Sequence, residues 1–336
     1  MMMDREQEEL QFLGFFGIVK ESLKIIYSWR KIFAQITLSF IFPLSFIFLA
    51  HIQISQLLFA NILNNEDTLN YTQAGTPGYD KLSDVISSEW VALWLFKAAY
   101  FTFFLILSLL STSAVVYTIA CIYTGKEISF KKVISVVPKV WKRLFVTFLW
   151  SFAIVFVYNI VSGMLLLLPV AVLGFGMLGI SVFVVVLVPY LAGLVYISLV
   201  WQLASVVSVL EDDYGIKAMK KSKALIKGKT GVAVAMFLVL VVCFIGIQVV
   251  FEIGVLFYWS MSVEMRIGIP ILCFLILFMV VLFGLVAQTV IYFVCKSYHH
   301  ENIDKSCLAD HREVYLGEYV PLKAKDVQLE QFHVWV

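Results

Sequence analysis

Six apolar stretches dominate the chain, at about residues 32–51, 91–123, 144–169, 183–210, 231–258 and 268–296. Each has the length of about 20 residues that a helix needs to cross the hydrocarbon core of a bilayer. Hydrophobic residues make up 61% of the sequence and charged residues only 14%. Soluble domains carry roughly 45–50% and about 25%. The expected fold is all-α, a polytopic membrane protein of six transmembrane helices. Residues 1–31 precede the membrane domain at 32–298, and a tail follows at 299–336. Gly174, Gly176 and Gly179 interrupt the apolar sequence between the third and fourth spans, which reads as a bend or a short re-entrant stretch and not as a seventh span. The acidic start MMMDREQEEL and the bulky Phe48 late in the first run do not fit a cleavable signal peptide, so that run is expected to stay as an anchor.

Orientation follows from the basic residues, because cytoplasmic loops accumulate Lys and Arg. With six spans and both termini inside, 22 of the 25 basic residues fall on the cytosolic side, leaving Lys81, Lys97 and Arg266. The long loop at 51–90 then lies outside, and Asn70-Tyr71-Thr72 within it matches the N-glycosylation acceptor pattern. Asn70 is therefore the candidate glycan site, which implies a eukaryotic secretory pathway or plasma membrane. The cysteines at 121, 243, 273, 295 and 307 form no CxxC pair, and a disulfide framework is not expected.

Charge concentrates in EDDYGIKAMKKSKALIKGK at 211–229. Asp212 or Asp213 suits the start of a helix there, and Gly228 its end. At 100° per residue, Ile216, Ala218, Met219, Ser222, Leu225 and Ile226 share one face. Lys217, Lys220, Lys221 and Lys227 share the other. An apolar face beneath lysines is the pattern of a helix lying in the membrane interface, and these four lysines are the candidate contacts to anionic lipids of the cytosolic leaflet. The alternative is that the apolar face packs against neighbouring helix ends. Related segments precede other spans. Trp29-Arg30-Lys31-Ile32-Phe33 echoes Trp141-Lys142-Arg143-Leu144-Phe145, and Ser22-Leu23-Lys24-Ile25-Ile26 echoes Ser222-Lys223-Ala224-Leu225-Ile226. Val115-Val116-Tyr117 with Tyr123 echoes Val290-Ile291-Tyr292 with Tyr298. The chain reads as one unit used three times, an amphipathic cytosolic helix followed by a hairpin of two spans.

Val206-Val207-Ser208-Val209-Leu210-Glu211, followed by Gly215, Ala218, Ser222, Leu225 and Gly228, resembles the pattern of the membrane domain attached to some glycerophosphodiester phosphodiesterases and of related bacterial multi-pass proteins. It also resembles a plant family of six-span proteins of unknown function. The likeness implies a six-helix membrane fold with interfacial helices. It brings no hydrolase chemistry, because that activity belongs to a separate barrel too large for the tail here.

Charges within spans are the first place to look for function. Lys97 and Glu252 are the candidate intramembrane pair. Asn159, Gln202, Gln248 and Gln288 are the scattered polar side chains that a transport path would use, and helix–helix hydrogen bonds account for them adequately. His299, His300, Cys307 and His311 fit no zinc-ligand spacing. No phosphate loop, nucleophile elbow or HExxH is present, so neither an enzyme nor a cofactor or metal site is expected. Tyr319-Val320-Pro321-Leu322 has the form read by cytosolic sorting adaptors, with Tyr319 and Leu322 as its anchors. The sequence points to a non-enzymatic membrane-organising, lipid-associated or trafficking role, with a small-solute transporter or channel as the alternative. Membrane lipids and sorting adaptors are the expected partners, nucleic acid is not, and the oligomeric state is undetermined.

Overall fold

The computed structural model describes residues 7–126, 128–174, 176–256 and 262–300. A short α1 (Gln7–Leu10) leads to α2 (Phe15–Ser28), α3 (Arg30–Ile36) and α4 (Phe42–Tyr71). A π-helical turn at Thr37–Ile41 joins the last two, directly ahead of Pro43, which has no N–H for the helical ladder. Then come α5 (Pro77–Tyr123), α6 (Phe130–Leu173), α7 (Met177–Leu210), α8 (Ile216–Leu225), α9 (Thr230–Leu256) and α10 (Val263–Tyr298). Six helical stretches are long and apolar enough to cross a membrane: Arg30–Tyr71, Pro77–Tyr123, Phe130–Leu168, Met177–Leu210, Thr230–Val255 and Val263–Tyr298. The protein is an all-α, multi-pass membrane protein.

One boundary differs from expectation. The polar segment at 51–90 is not an open loop. Helix α4 continues to Tyr71 and α5 begins at Pro77. At 1.5 Å per residue, the 47 residues of α5 span about 70 Å, more than twice the roughly 30 Å of hydrocarbon. The excess pairs with α4 as a stalk: Ile62 and Ile86 are buried, Asn65 donates to the Glu89 carboxylate at 2.9 and 3.0 Å, and the Trp90 indole donates to Glu66 at 3.2 Å. Thr76 caps α5 by accepting the Tyr79 N–H at 3.3 Å, with Pro77 at the first helical position. At 170–182 the chain bends, which is one of the two forms expected there. Helix α6 runs to Leu173, Gly174 turns the chain at φ +69°, and α7 starts at Met177.

Helices α4–α5, α6–α7 and α9–α10 are three hairpins. Their returning members α5, α7 and α10 pack on one another in pairs. Toward their C-terminal ends all three are buried, over Ser111–Cys121, Val206–Ser208 and Thr289–Ser297. Each hairpin is preceded by a segment that buries residues at i, i+3, i+4 and i+7. In α2 these are Ile18, Glu21, Ser22 and Ile25; at the start of α6, Val133, Val136, Val137 and Val140; in α8, Ala218, Lys221 in part, Ser222 and Leu225. Helix α8 packs on α7, α6 on α5, and α2 on α10 and α9, so each such segment rests on the hairpin that comes before it in the ring. Trp29 ends α2, whereas Trp141, its echo, lies inside the unbroken α6. We call the face bearing these segments the basic face.

Candidate functional site

Glu211 follows the last residue of α7, where the backbone leaves the helix in an extended conformation. Its side chain is only 12% exposed. Oε1 accepts from the Tyr292 hydroxyl at 2.5 Å and from Lys296 Nζ at 2.9 Å. Oε2 meets Lys221 Nζ at 2.5 Å. One carboxylate thus joins α7, α8 and α10. Burial alone raises the pKa of this carboxyl, but hydrogen bonds from Lys221, Lys296 and Tyr292, with the charge of Lys296, outweigh that and hold it below its ordinary value of 4.5. The chemistry is that of an ionised structural hub.

The chain between α7 and α8 is fixed to α6. Arg143 pairs with Asp212 at 2.7 Å. Thr147 and Ser208 share a hydroxyl–hydroxyl bond of 2.7 Å. The Gly215 N–H donates to Thr147 Oγ1 at 2.8 Å. Gly215 sits at φ +63°, and a Cβ there would come within 3.2 Å of the Trp150 ring, so glycine is favoured on both counts. Gly215, and not Asp212 or Asp213, precedes the first residue of α8, and no side chain caps the helix. Asp212 is engaged by Arg143, which sequence spacing does not reveal.

Helix α8 is held along its buried side and at its C-terminal end. The Ser222 hydroxyl donates to the Val200 carbonyl at 2.8 Å. Met219 Sδ lies 3.7 Å from Ser151 Oγ. At its C-terminal end, His299 Nε2 is 3.0 Å from both the Leu225 and Lys227 carbonyls. Both partners are acceptors, so that ring nitrogen carries the proton. Gly228 then turns at φ +89° with Tyr298 closed over it.

This arrangement changes the expectation for α8. Ala218, Met219, Ser222, Leu225 and Ile226 are buried by protein, so the apolar face meets the bundle and not lipid, while Ile216 stays exposed. Lys221 turns inward to Glu211; Lys217, Lys220 and Lys227 remain exposed. The pair Lys97–Glu252 does not form. Lys97 lies over the Trp94 ring at 5.5 Å, and Glu252 accepts from Gln248 at 2.9 Å. Asn159 donates to the Val155 carbonyl and accepts from the Tyr190 hydroxyl, each at 2.8 Å. Asn70 is exposed on the last turn of α4. Tyr319 and Leu322, with Cys307 and His311, lie outside the described residues.

The hub itself escaped sequence reasoning. Glu211 stands in the quoted motif, but its partners on α10 lie 81 and 85 residues away. The available signal was its place as an acid at the end of an apolar run. A family described as a domain of unknown function, DUF8558, matches residues 3–332 of the chain. No curated protein and no solved structure matches it.

Proposed function

The chain belongs to the DUF8558 family, and we propose that it is a non-enzymatic membrane-organising or trafficking component whose basic face engages anionic lipids of the cytosolic leaflet. Both termini lie in the cytosol in this proposal, in the secretory pathway or plasma membrane, and Asn70 carries a glycan on the other side. The observation that carries it is how the basic side chains are sorted. Arg143, Lys221 and Lys296 are paired with Asp212 and Glu211, and of the three only Lys296 is nearly buried. Outward, each pre-hairpin segment exposes four cations with no ion pair among the described residues: Lys20, Lys24, Arg30 and Lys31; Lys131, Lys132, Lys139 and Lys142; Lys217, Lys220, Lys223 and Lys227. A cation at an anionic leaflet contributes about 1 kcal/mol, so twelve around one face make a strong electrostatic surface. The likeness of residues 206–228 to the phosphodiesterase-associated membrane domain and to the plant family agrees with a membrane-embedded role without catalysis. Asn159, which a transport path would need, is engaged within its own hairpin.

The test is lipid selectivity of the full chain reconstituted in mixed bilayers, read with spin-labelled anionic and neutral lipids. Several-fold enrichment of anionic lipid is expected, reduced by changing Lys217, Lys220, Lys223 and Lys227 together to Ala. Equal association with both lipids would sink the proposal.

A further inference from the structure

Helix α2 has one face buried by protein and, among the described residues, a second, apolar face left uncovered. Ile18, Glu21, Ser22 and Ile25 are buried against α9 and α10. Phe16, Leu23 and Tyr27 form a second stripe, and they are 83%, 54% and 76% exposed. Their spacing of i, i+7 and i+11, with half-buried Val19 between them, keeps them on one side of a helix of 3.6 residues per turn. At 100° per residue this stripe lies about 170° from the buried one. Phe12, just ahead of the helix, is also exposed. Lys20 and Lys24 flank the stripe on one side, and Ser28 lies beyond them, so the polar arc is narrow and unbroken.

We propose that α2 is the membrane-inserted element of the basic face. It lies flat in the leaflet with Phe16, Leu23 and Tyr27 among the acyl chains and Lys20 and Lys24 at anionic headgroups. Three observations choose lipid as the occupant. Helix α2 is followed, after Trp29, by α3, which begins the first membrane-crossing stretch, so the helix is tethered at the bilayer surface. Its buried face is held by α9 and α10, which are both membrane-crossing stretches, so the helix lies beside the spans with its opposite side uncovered among the described residues. An exposed aromatic and aliphatic stripe bordered by lysines is the composition of an interfacial helix. The inference deepens the lipid-leaflet proposal above, and it moves insertion from α8, whose apolar face is covered, to α2.

The test places a benzophenone amino acid at position 16, 23 or 28 of the full chain, reconstituted in neutral or anionic vesicles and irradiated. Lipid adducts are expected at 16 and 23 and not at 28. Cross-links from 16 and 23 to a second copy, or no lipid adducts in either vesicle, would overturn the insertion. Equal lipid adducts in both vesicle types uphold insertion and count against the charge selectivity, so the two proposals fail separately. If position 16 does not tolerate the probe, trypsin gives a second readout. Phe16→Ser with Leu23→Ser should raise cleavage at Lys20 and Lys24 at least several-fold in vesicles, and unchanged cleavage would overturn the proposal.

Discussion

Helices α2 and α8 share one buried pattern and differ in what they turn outward. Position by position, Ile18, Glu21, Ser22 and Ile25 of α2 correspond to Ala218, Lys221, Ser222 and Leu225 of α8. The shared quartet is a packing device that seats each helix on the preceding hairpin. The outward faces are where they part: α8 shows Lys217, Lys220 and Lys223 with Ile216, whereas α2 adds Phe16, Leu23 and Tyr27 to Lys20 and Lys24. The buried pattern therefore reports the architecture, and only the exposed face reports how each helix meets its surroundings. The second position of the quartet sharpens the contrast, since Glu21 is buried in α2 while Lys221 in α8 reaches the carboxylate of α7.

Breaking that carboxylate gives the largest expected effect. Glu211→Ala leaves Lys296, 11% exposed, without its counter-charge. Removing one partner of a buried ion pair costs about 3–5 kcal/mol, which thermal unfolding in detergent would register as a large drop in Tm. The same group sets a pH dependence. Its carboxyl titrates below the ordinary value of 4.5 when folded, so its stabilisation is complete above that value and is lost as pH falls through the folded-state value. Glu211→Gln should flatten that part of the stability-versus-pH curve, and an acid limb identical to that of the parent chain would remove Glu211 as its source.

Gly228→Val tests the far end of α8. The substitution forces a β-branched residue to φ +89° and drives its Cβ into the Tyr298 ring. The left-handed backbone alone costs about 1–2 kcal/mol, and displacing Tyr298 adds to it. The expected result is a destabilised chain whose residues 217–229 become sensitive to trypsin, while cleavage at Lys20 and Lys24 is unchanged. Parallel loss at both helices would mean that they are not independently seated.

The six spans were legible because a hydrocarbon solvent demands long apolar runs, and those are local features of the sequence. The stalk was not legible. Its helices depend on pairings such as Asn65 with Glu89 and Trp90 with Glu66, 24 residues apart, and the polar residues that make those pairs lower the hydropathy that a span reading uses. The lysines of α8 were legible as a group but not individually. Lys221 differs from Lys220 only in that its side of the helix faces Glu211. The capping expectation failed for a related reason, since Asp212 was already bound by Arg143 from α6. In α2 the exposed stripe was present in the sequence, but nothing in the sequence separates a stripe that protein covers from one that it leaves open.

The smallest stability change is expected where the comparison is sharpest. Leu225 in α8 is buried and Leu23 in α2 is exposed, although both lie in the segments whose sequences echo each other. Leu225→Ser removes a packed side chain and leaves a hydroxyl in its place, which by the usual cost of large-to-small core changes is about 2–5 kcal/mol. Leu23→Ser removes nothing that the protein covers, and surface changes of this kind stay within about 0.5 kcal/mol. In detergent, Leu23→Ser should unfold with the parent chain. A comparable loss of Tm from both variants would mean that the outward stripe of α2 is held by protein, and the two helices would then differ in charge alone.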